Sequence, residues 1–175
     1  MFEDLIPLTD SRSLSDAPRT VFFALRTATG DGHRFIPELY RRGVMHFVVD
    51  NDYPTPAAET DFAEATFLRV ASPLAALQTY ASLRRDSFDG KVIGITGSRG
   101  KTMVKEWLGS VVSPEWRVCR SPRSYNSQIG VPLSVWRLSP SDNLGIFEAG
   151  ISRGGEMETL ASIIRPEITV ITLVR

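Results

Sequence analysis

The chain has 175 residues, in which 20 Lys and Arg residues balance 20 Asp and Glu residues, with two His and one Cys. This length accommodates one domain or two small ones, and the zero net charge excludes the clustered basic surface of a nucleic-acid-binding protein. One cysteine and two histidines exclude an internal disulfide and a structural zinc site of the usual kind. The acidic N-terminus and the lack of an apolar run of about 20 residues argue against a signal peptide and a membrane span. We therefore expect a cytoplasmic protein that binds neither nucleic acid nor a membrane.

The first part of the chain predicts strands that alternate with helices. Short apolar runs rich in β-branched and aromatic residues predict three strands, over residues 20–25, 44–49 and 66–70. Apolar side chains at helical spacing, followed by Gly43, predict a helix between the first two strands. Ser72 is expected to cap a second helix that has Pro73 at its first position. The predicted apolar face of this helix comprises Leu74, Leu77, Ala81 and Leu83.

A polar segment over residues 86–90 separates two stretches with different sequence patterns. We place a domain boundary there, which gives domains 1–86 and 87–175. The second domain is predicted to have strands over 92–96, 116–119, 144–148 and 168–174, and helices over 101–112, 132–138 and 155–164. Strands that alternate with helices need right-handed crossovers, so the sequence predicts an α/β fold with parallel sheets. Trp107 and Trp116 are expected in the core.

The last predicted strand, residues 168–174, stops just before the end of the chain. A buried parallel strand needs a crossover and helices that cover both faces of its sheet. We therefore expect the second domain to be an incomplete sheet, and the chain to be a fragment of a longer protein.

A glycine-rich turn joins the strand over 92–96 to the next helix. Such a turn binds phosphate because glycines bring backbone N–H groups close to the oxygens, the helix N-terminus is positive, a lysine adds charge and a threonine hydroxyl can bind magnesium. The usual pattern has a glycine where this chain has Ile95, so the motif is a variant P-loop. The alternative is a structural turn followed by an exposed lysine. The predicted nucleotide-binding residues are Gly97, Ser98, Arg99, Gly100, Lys101 and Thr102.

Two further residues are candidates for the same site. Glu148 ends an apolar strand, and ligands of open parallel sheets bind beyond the carboxyl ends of the strands. Glu148 is therefore expected to hold magnesium together with Thr102, and the alternative is a solvated loop acid. Asn126 lies in a polar loop before a predicted helix, where it can bind phosphate, metal-bound water or substrate. An Asx-turn is the alternative for this residue.

Taken together, these segments resemble the Mur ligases, the ATP-dependent amide-forming enzymes of peptidoglycan assembly. The segments similar to the family's shortened P-loop, its asparagine loop and the strand with its magnesium-binding glutamate are residues 95–102, 126–132 and 147–150. The segments similar to its uridine-nucleotide-binding domain are residues 9–12, 21–25 and 31–36. Within the family, the loop and the glutamate segment are most similar to the branch that adds D-alanyl-D-alanine to a UDP-N-acetylmuramoyl-tripeptide.

The resemblance implies a small N-terminal α/β uridine-nucleotide-binding domain followed by an incomplete parallel-sheet P-loop ATPase domain. It implies ATP and magnesium as cofactors, with Lys101 and Glu148 as catalytic residues. The carboxylate of the UDP-N-acetylmuramoyl-peptide takes the γ-phosphoryl group of ATP, and the amine of D-alanyl-D-alanine then displaces phosphate from the acyl phosphate. Charge neutralisation and positioning dominate such phosphoryl transfer.

In the first domain, the resemblance implies that the substrate-binding residues are Ser11, Arg12, Thr27 and Gly30. The planar guanidinium of Arg12 suits a diphosphate because it can bind two oxygens at once, and a solvated arginine is the alternative. The family's later magnesium-binding histidine, carboxylated lysine and final domain are expected after Arg175. We therefore expect no ligase activity from this chain alone, and a fusion of the longer protein to an alanine racemase stays open.

Other functions share the same motif. A different Mur-type ligase, a folylpolyglutamate synthase and a cyanophycin synthetase all carry this P-loop, and the segments around residues 10–12 and 31–32 favour the uridine-nucleotide branch of the family. A non-catalytic module that holds ATP to stabilise an assembly is the alternative outside the enzymes. Amide formation by the longer protein distinguishes the enzymes from that module.

Overall fold

The computed structural model describes residues 4–28, 30–54, 62–151 and 153–174. The chain forms two compact units that divide between Leu77 and Gln78. The sequence places the boundary after residue 86, at the end of a helix. The structure divides inside that helix, because side chains of its second half, such as Ala81, pack into the core of the second unit.

A parallel sheet forms the centre of the first unit. The strands, in chain order, are β1 (Ile6–Leu8), β2 (Thr20–Phe23), β3 (Arg26–Thr27), β4 (Gly30–Asp31), β5 (His46–Asp50) and β6 (Thr66–Val70). The sheet has the order β1-β2-β5-β6 with all pairs parallel, and β3 and β4 form a separate antiparallel hairpin. The helix α1 (Ile36–Arg41) follows the hairpin after one 3-10 turn, Gly32–Phe35.

Apolar side chains from the sheet and from α1 fill the core of this unit. The rings of Phe22 on β2 and Phe47 on β5 meet edge to face, with centroids 6.5 Å apart, and Ile36 and Leu39 of α1 pack in the same cluster. The three strands expected from the sequence are confirmed, with small differences at their ends. Sequence periodicity did not indicate β1 or the hairpin, because runs of two or three residues are too short to show it.

The helix α2 (Pro73–Asp86) begins as expected, with the Ala75 N–H donating to the Ser72 hydroxyl oxygen at 3.2 Å. The expectation that Leu83 lies on its apolar face is wrong, because that side chain is 60% exposed. The buried positions repeat every fourth residue and include Arg85. Its guanidinium donates to the carbonyl oxygen of Ile164 at 2.9 Å, which satisfies the buried charge with a hydrogen bond.

A second parallel sheet forms the centre of the second unit. Its strands are β7 (Lys91–Thr96), β8 (Val118–Arg120), β9 (Leu144–Glu148) and β10 (Ile168–Ile171), in the spatial order β10-β7-β9-β8. Its helices are α3 (Lys101–Val112), α4 (Gly130–Val135) and α5 (Glu156–Ile164). All strand pairs are parallel, which confirms the predicted α/β fold. Buried residues of α4, α5 and β9 share one core cluster.

Two expectations about this unit are wrong, one about where the last strand ends and one about the burial of two tryptophans, whereas the exposed strand edge is what an incomplete sheet predicts. The strand β10 ends at Ile171 rather than at residue 174, and it lies at the sheet edge with the side chains of Ile168 and Ile171 exposed. Trp107 is 63% exposed and Trp116 is also exposed, so neither tryptophan packs in the core. The hydrophobic share of a sequence does not decide which apolar residues are covered, since folded surfaces contain many apolar atoms.

Among the residues that the structure describes, no helix is both long enough and apolar enough to span a bilayer.

Candidate functional site

The turn after β7 has the conformation that its glycines allow. Gly97 has φ of 129° and Gly100 has φ of 87°, values that side chains disfavour. A Cβ atom on Gly97 would lie 2.2 Å from the Thr172 hydroxyl oxygen, so a side chain does not fit there. The helix α3 begins at Lys101, directly after Gly100, which directs its positive N-terminus into this turn.

Some of the groups in this turn that are expected to bind phosphate already form hydrogen bonds to backbone carbonyl oxygens of the protein. The backbone N–H of Ser98 donates to the Leu173 carbonyl oxygen at 2.8 Å, and Arg99 forms an antiparallel bridge with the same residue. The Lys101 ammonium donates to the Gly97 carbonyl oxygen at 2.6 Å. A phosphate can therefore use Ser98 or Lys101 only by replacing these contacts. The first N–H groups of α3 have no acceptor within the helix, as at every helix N-terminus.

Thr102 and Glu148 lie side by side. The Thr102 hydroxyl donates to Glu148 Oε2 at 3.0 Å and lies 3.2 Å from the Ser124 hydroxyl oxygen. The register that pairs Ile95 with Glu148 across β7 and β9 produces this contact. It brings Glu148 to the carboxyl ends of the parallel strands, where the turn after β7 starts. Glu148 is fully buried, so the alternative of a solvated loop acid is wrong.

The oxygen atoms of Thr102, Ser124 and Glu148 fit a magnesium ion better than they fit a softer metal. One carboxylate is enough only if other ligands complete the shell, and magnesium commonly keeps waters and binds nucleotide phosphates. No group of three or more His, Cys, Asp or Glu side chains among the described residues could hold a metal without such help. The donor set therefore fits magnesium that arrives with a nucleotide.

Lys105 is a buried member of this cluster that the sequence did not single out. Its ammonium lies 3.0 Å from Glu148 Oε1, and both side chains are fully buried. This contact is an ion pair without a hydrogen bond, because the angles at Glu148 Oε1 do not suit one. Its position one helical turn after Lys101, on the face that carries Thr102, was the available signal.

Asn126 lies beside the end of β9. Its backbone carbonyl oxygen accepts from the Gly150 N–H at 2.8 Å, and its side-chain amide would lie within about 3.3 Å of a Cβ on Gly150. Gln128, which the sequence reasoning missed, connects this loop to two helices by accepting from Gln78 and donating to the Glu156 carbonyl oxygen. The structure thus brings the loop of Asn126 to the strand that ends in Glu148.

The second candidate site is a cavity of about 490 Å³ in the first unit. All four residues expected to bind the uridine nucleotide line it, namely Ser11, Arg12, Thr27 and Gly30. Arg34 and Asp31 also line it and were not expected to contribute. The guanidinium of Arg34 lies close to Gly30, at 3.5 Å from the position of a Cβ on that glycine. Two arginines therefore line one cavity, which suits a diphosphate.

Acidic groups at this cavity are already paired. Arg12 Nη2 lies 2.6 Å from Asp10 Oδ2, and this hydrogen-bonded pair lowers the pKa of Asp10 below its usual range. Burial raises the pKa of Asp31, but hydrogen bonds from the backbone and ring of His33 outweigh it, so the net pKa is lowered. The Arg12 side chain is 88% exposed, so its guanidinium can exchange Asp10 for a ligand without crossing packed side chains.

His33 supports the wall of this cavity. Its Nε2 accepts from the backbone N–H of Asp50 at 3.2 Å, which assigns the proton of the neutral ring to Nδ1, 2.5 Å from Asp31 Oδ1. The ring is buried and stacks on Tyr53 with centroids 5.0 Å apart. These contacts connect Asp31, at the end of β4, to the end of β5.

Residues 95–175 match the family described as the Mur ligase middle domain. Over 167 residues, the chain is 40% identical to the UDP-N-acetylmuramoyl-tripeptide--D-alanyl-D-alanine ligase of Treponema pallidum, covering 93% of this chain and 36% of that protein. It is 32% identical to the protein of the same name from Bacillus subtilis, covering 94% of this chain and 34% of the relative. The chain thus spans about a third of the length of these relatives.

Solved structures give the same result. A crystal structure of MurF from Acinetobacter baumannii superposes with a TM-score of 0.83 at 30% identity, covering 94% of this chain and 34% of that one. The MurF ligase of Thermotoga maritima, solved in complex with ADP, superposes with a TM-score of 0.82 at 26% identity, covering 98% of this chain and 38% of that one. Both comparisons extend over the two units of the chain.

Proposed function

This chain belongs to the Mur ligase family, and we propose that it forms the precursor-binding and P-loop parts of an ATP-dependent ligase. The proposed reaction joins D-alanyl-D-alanine to UDP-N-acetylmuramoyl-tripeptide, as the names of the relatives suggest. The observation that carries the proposal is the contact of Thr102 with Glu148 directly beyond a glycine turn.

In the proposed site, the phosphates of ATP bind the turn from Gly97 to Thr102. The Lys101 ammonium exchanges the Gly97 carbonyl for a phosphate oxygen, and the N-terminus of α3 adds its partial positive charge. Thr102 and Glu148 would hold magnesium, which supplies positive charge to the phosphate oxygens when bound. The turn therefore positions the nucleotide and neutralises its charge.

The proposed chemistry has two steps. A carboxylate oxygen of the precursor attacks the γ-phosphorus of ATP, the bond to the bridging oxygen breaks, and ADP leaves. The amine of D-alanyl-D-alanine then attacks the resulting acyl phosphate, loses a proton and releases inorganic phosphate. The groups that Lys101 and Glu148 provide fit the first step, because phosphoryl transfer depends on positioning and on stabilisation of charge.

The cavity of the first unit is the proposed site of the uridine diphosphate group. Its volume of about 490 Å³ lies in the range of small-molecule sites. Ser11 and the hairpin residues Thr27 and Gly30 line it, while Arg12 and Arg34 supply positive charge for the two phosphates. Arg12 adds a phosphate contact by turning away from Asp10, which costs little because the pair is exposed.

Calorimetry with ADP and magnesium tests the P-loop proposal on this chain. Lys101→Ala should weaken binding about tenfold or more, because a charge-assisted contact is lost. Lys91→Ala is the matched control, since Lys91 is exposed at the opposite end of β7. Glu148→Gln should reduce the gain in affinity that magnesium gives, because it removes a charge and keeps the shape. Equal binding by wild type and Lys101→Ala would contradict the proposal.

Titration with UDP tests the cavity. Arg12→Ala and Arg34→Ala should each weaken UDP binding about tenfold, whereas Arg19→Ala changes an exposed arginine that does not line the cavity. Loss of affinity in all three variants would indicate general charge attraction rather than a site.

For the longer protein, amide formation from the tripeptide precursor and D-alanyl-D-alanine tests the complete reaction. Nucleotide binding without amide formation would favour the non-catalytic module.

A further inference from the structure

Lys105 holds three separate segments of the second unit together. Its ammonium, contributed by α3, donates to the Ser121 carbonyl oxygen at 2.7 Å and to the Arg123 carbonyl oxygen. The third segment is the end of β9, where Glu148 Oε1 lies 3.0 Å away. A fully buried lysine is rare unless its charge is paired, because the ammonium loses its hydration.

The buried partner of this charge is Glu148 rather than Glu106. Glu106 lies 3.2 Å from the same ammonium, but its side chain is half-exposed and forms a shorter contact of 2.9 Å with Arg120. Glu148 has no exposure to water and no other cation at its carboxylate in the described part of the chain. Lys105 therefore balances a charge that water does not stabilise.

The two oxygens of Glu148 have different surroundings. Oε1 faces Lys105, and Oε2 accepts from the Thr102 hydroxyl at 3.0 Å. The carbonyls that hold Lys105 precede Ser124, whose hydroxyl lies 3.2 Å from that of Thr102. Fixing Lys105 thus fixes both the rotation of the carboxylate and the loop that carries the neighbouring hydroxyl.

We propose that Lys105 is a positioning residue for the magnesium site, which holds Glu148 by Oε1 so that Oε2 is presented beside Thr102 and Ser124. The inference rests on the proposed function, since it takes Glu148 as a metal ligand. Some residues contact a metal ligand on the side away from the metal and so fix its orientation. Replacing such a residue commonly lowers metal affinity by about 10- to 100-fold. Lys105 does not itself touch the metal in this proposal.

Electron paramagnetic resonance of Mn²⁺, used in place of magnesium, tests the inference on the chain with ADP present. Lys105→Met keeps the length of the side chain and removes its charge, and it should weaken Mn²⁺ binding at least about tenfold. Glu106→Gln is the matched control, since it changes the exposed neighbour of the same ammonium and should leave binding within about twofold. Equal or tighter Mn²⁺ binding by Lys105→Met would overturn the inference.

A second measurement needs no change at Lys105. The chain contains only three lysines, at 91, 101 and 105, so Lys91→Arg and Lys101→Arg assign the Lys105 ammonium signal in a nitrogen–proton NMR spectrum by elimination. A buried, hydrogen-bonded ammonium exchanges its protons slowly enough to be observed. Adding magnesium to the ADP-bound protein should shift the Lys105 ammonium signal and leave the backbone amide signal of Lys91 in place. A Lys105 signal that does not move would overturn the inference even if Lys105→Met fails to fold.

The two proposals fail in different ways. If the wild-type chain binds no Mn²⁺ with ADP, the proposed magnesium site is wrong and the role of Lys105 falls with it. If the wild-type chain binds Mn²⁺ and Lys105→Met binds it equally well, only the role of Lys105 is wrong.

Discussion

Each candidate site contains a close pair of opposite charges, and these two pairs have opposite surroundings. Asp10 and Arg12 at the cavity of the first unit are exposed, and the Arg12 side chain is 88% accessible to water. Lys105 and Glu148 at the P-loop of the second unit are completely buried. The atoms in contact are 2.6 Å apart in the first pair and 3.0 Å apart in the second, so distance alone does not distinguish them.

The difference shows how burial decides what an ion pair can do. Water replaces either partner of an exposed pair, so such pairs contribute little to stability and exchange partners easily. A buried pair has no such replacement, and the loss of one partner leaves an unbalanced charge in the interior. Asp10 and Arg12 are therefore suited to receive a ligand, while Lys105 and Glu148 are suited to maintain the site.

The largest effect that we expect is on the stability of the second unit. Lys105→Met should lower its free energy of unfolding by about 3–5 kcal/mol, because Glu148 remains buried without a counter-charge. Urea unfolding followed by tryptophan fluorescence measures this unit alone, since all three tryptophans, at 107, 116 and 136, belong to it.

Two variants control this experiment. The double variant Lys105→Met/Glu148→Gln removes both charges and should lose less stability than the two single losses together. Lys91→Met changes an exposed lysine and should have little effect. A loss below about 1 kcal/mol in Lys105→Met would mean that the buried pair behaves like an exposed one.

A smaller effect is expected from the turn itself. Gly97→Ala should lower the stability of the second unit by about 1–3 kcal/mol, because it introduces a side chain at φ of 129° and against Thr172. Gly154→Ala is the matched control, since no atom lies within 4 Å of a Cβ at that position. If both variants unfold at the same urea concentration, the conformation of Gly97 is not a constraint on this site.

Burial should also appear in the pH dependence of the second unit. Desolvation raises the pKa of Cys119 from 9.0 to about 12, so the unfolded chain loses this proton at lower pH than the folded one does. Stability is therefore unaffected below pH 9 and falls as pH rises, by about 1 kcal/mol between pH 9 and pH 10. Urea unfolding of wild type and Cys119→Ala over this interval isolates the effect, since other groups titrate in both. Parallel curves would show that the thiol is accessible to water.

The smallest effect should come from the exposed pair. Arg12→Met should cause no measurable change in the unfolding of the first unit, followed by hydrogen exchange of the backbone amides of β2 and β5. The pKa of Asp10 is lowered by its hydrogen bond from Arg12, so any contribution of this pair is present above pH 3.8 and is lost as the pH falls further. UDP titration of the same variant separates binding from stability. A clear loss of stability would show that the exposed pair of Asp10 and Arg12 stabilises its unit as the buried pair does.

The variant P-loop shows how far motif reasoning extends. Motif spacing predicted a turn at Gly97 and Gly100, a helix that begins at Lys101 and a strand that ends in Glu148. Each of these elements forms where it was expected. Spacing did not indicate that the Ser98 N–H is bound by Leu173, because that contact joins residues distant in the chain. The exposure of Trp107 was misjudged for a similar reason, since apolar composition does not specify which face a neighbouring element covers.

The sequence by itself determined the order of elements and the parallel sheets, because strand and helix periodicities and glycine turns are local properties of the chain. It also determined the candidate phosphate-binding motif, because such a motif consists of consecutive residues. Only the tertiary structure decided that Lys105 is buried against Glu148, since a lysine on a short helix is usually solvated. The register of β7 against β9 and the path of the chain after β8 set the environment of this charge, and neither is encoded in the residues next to Lys105.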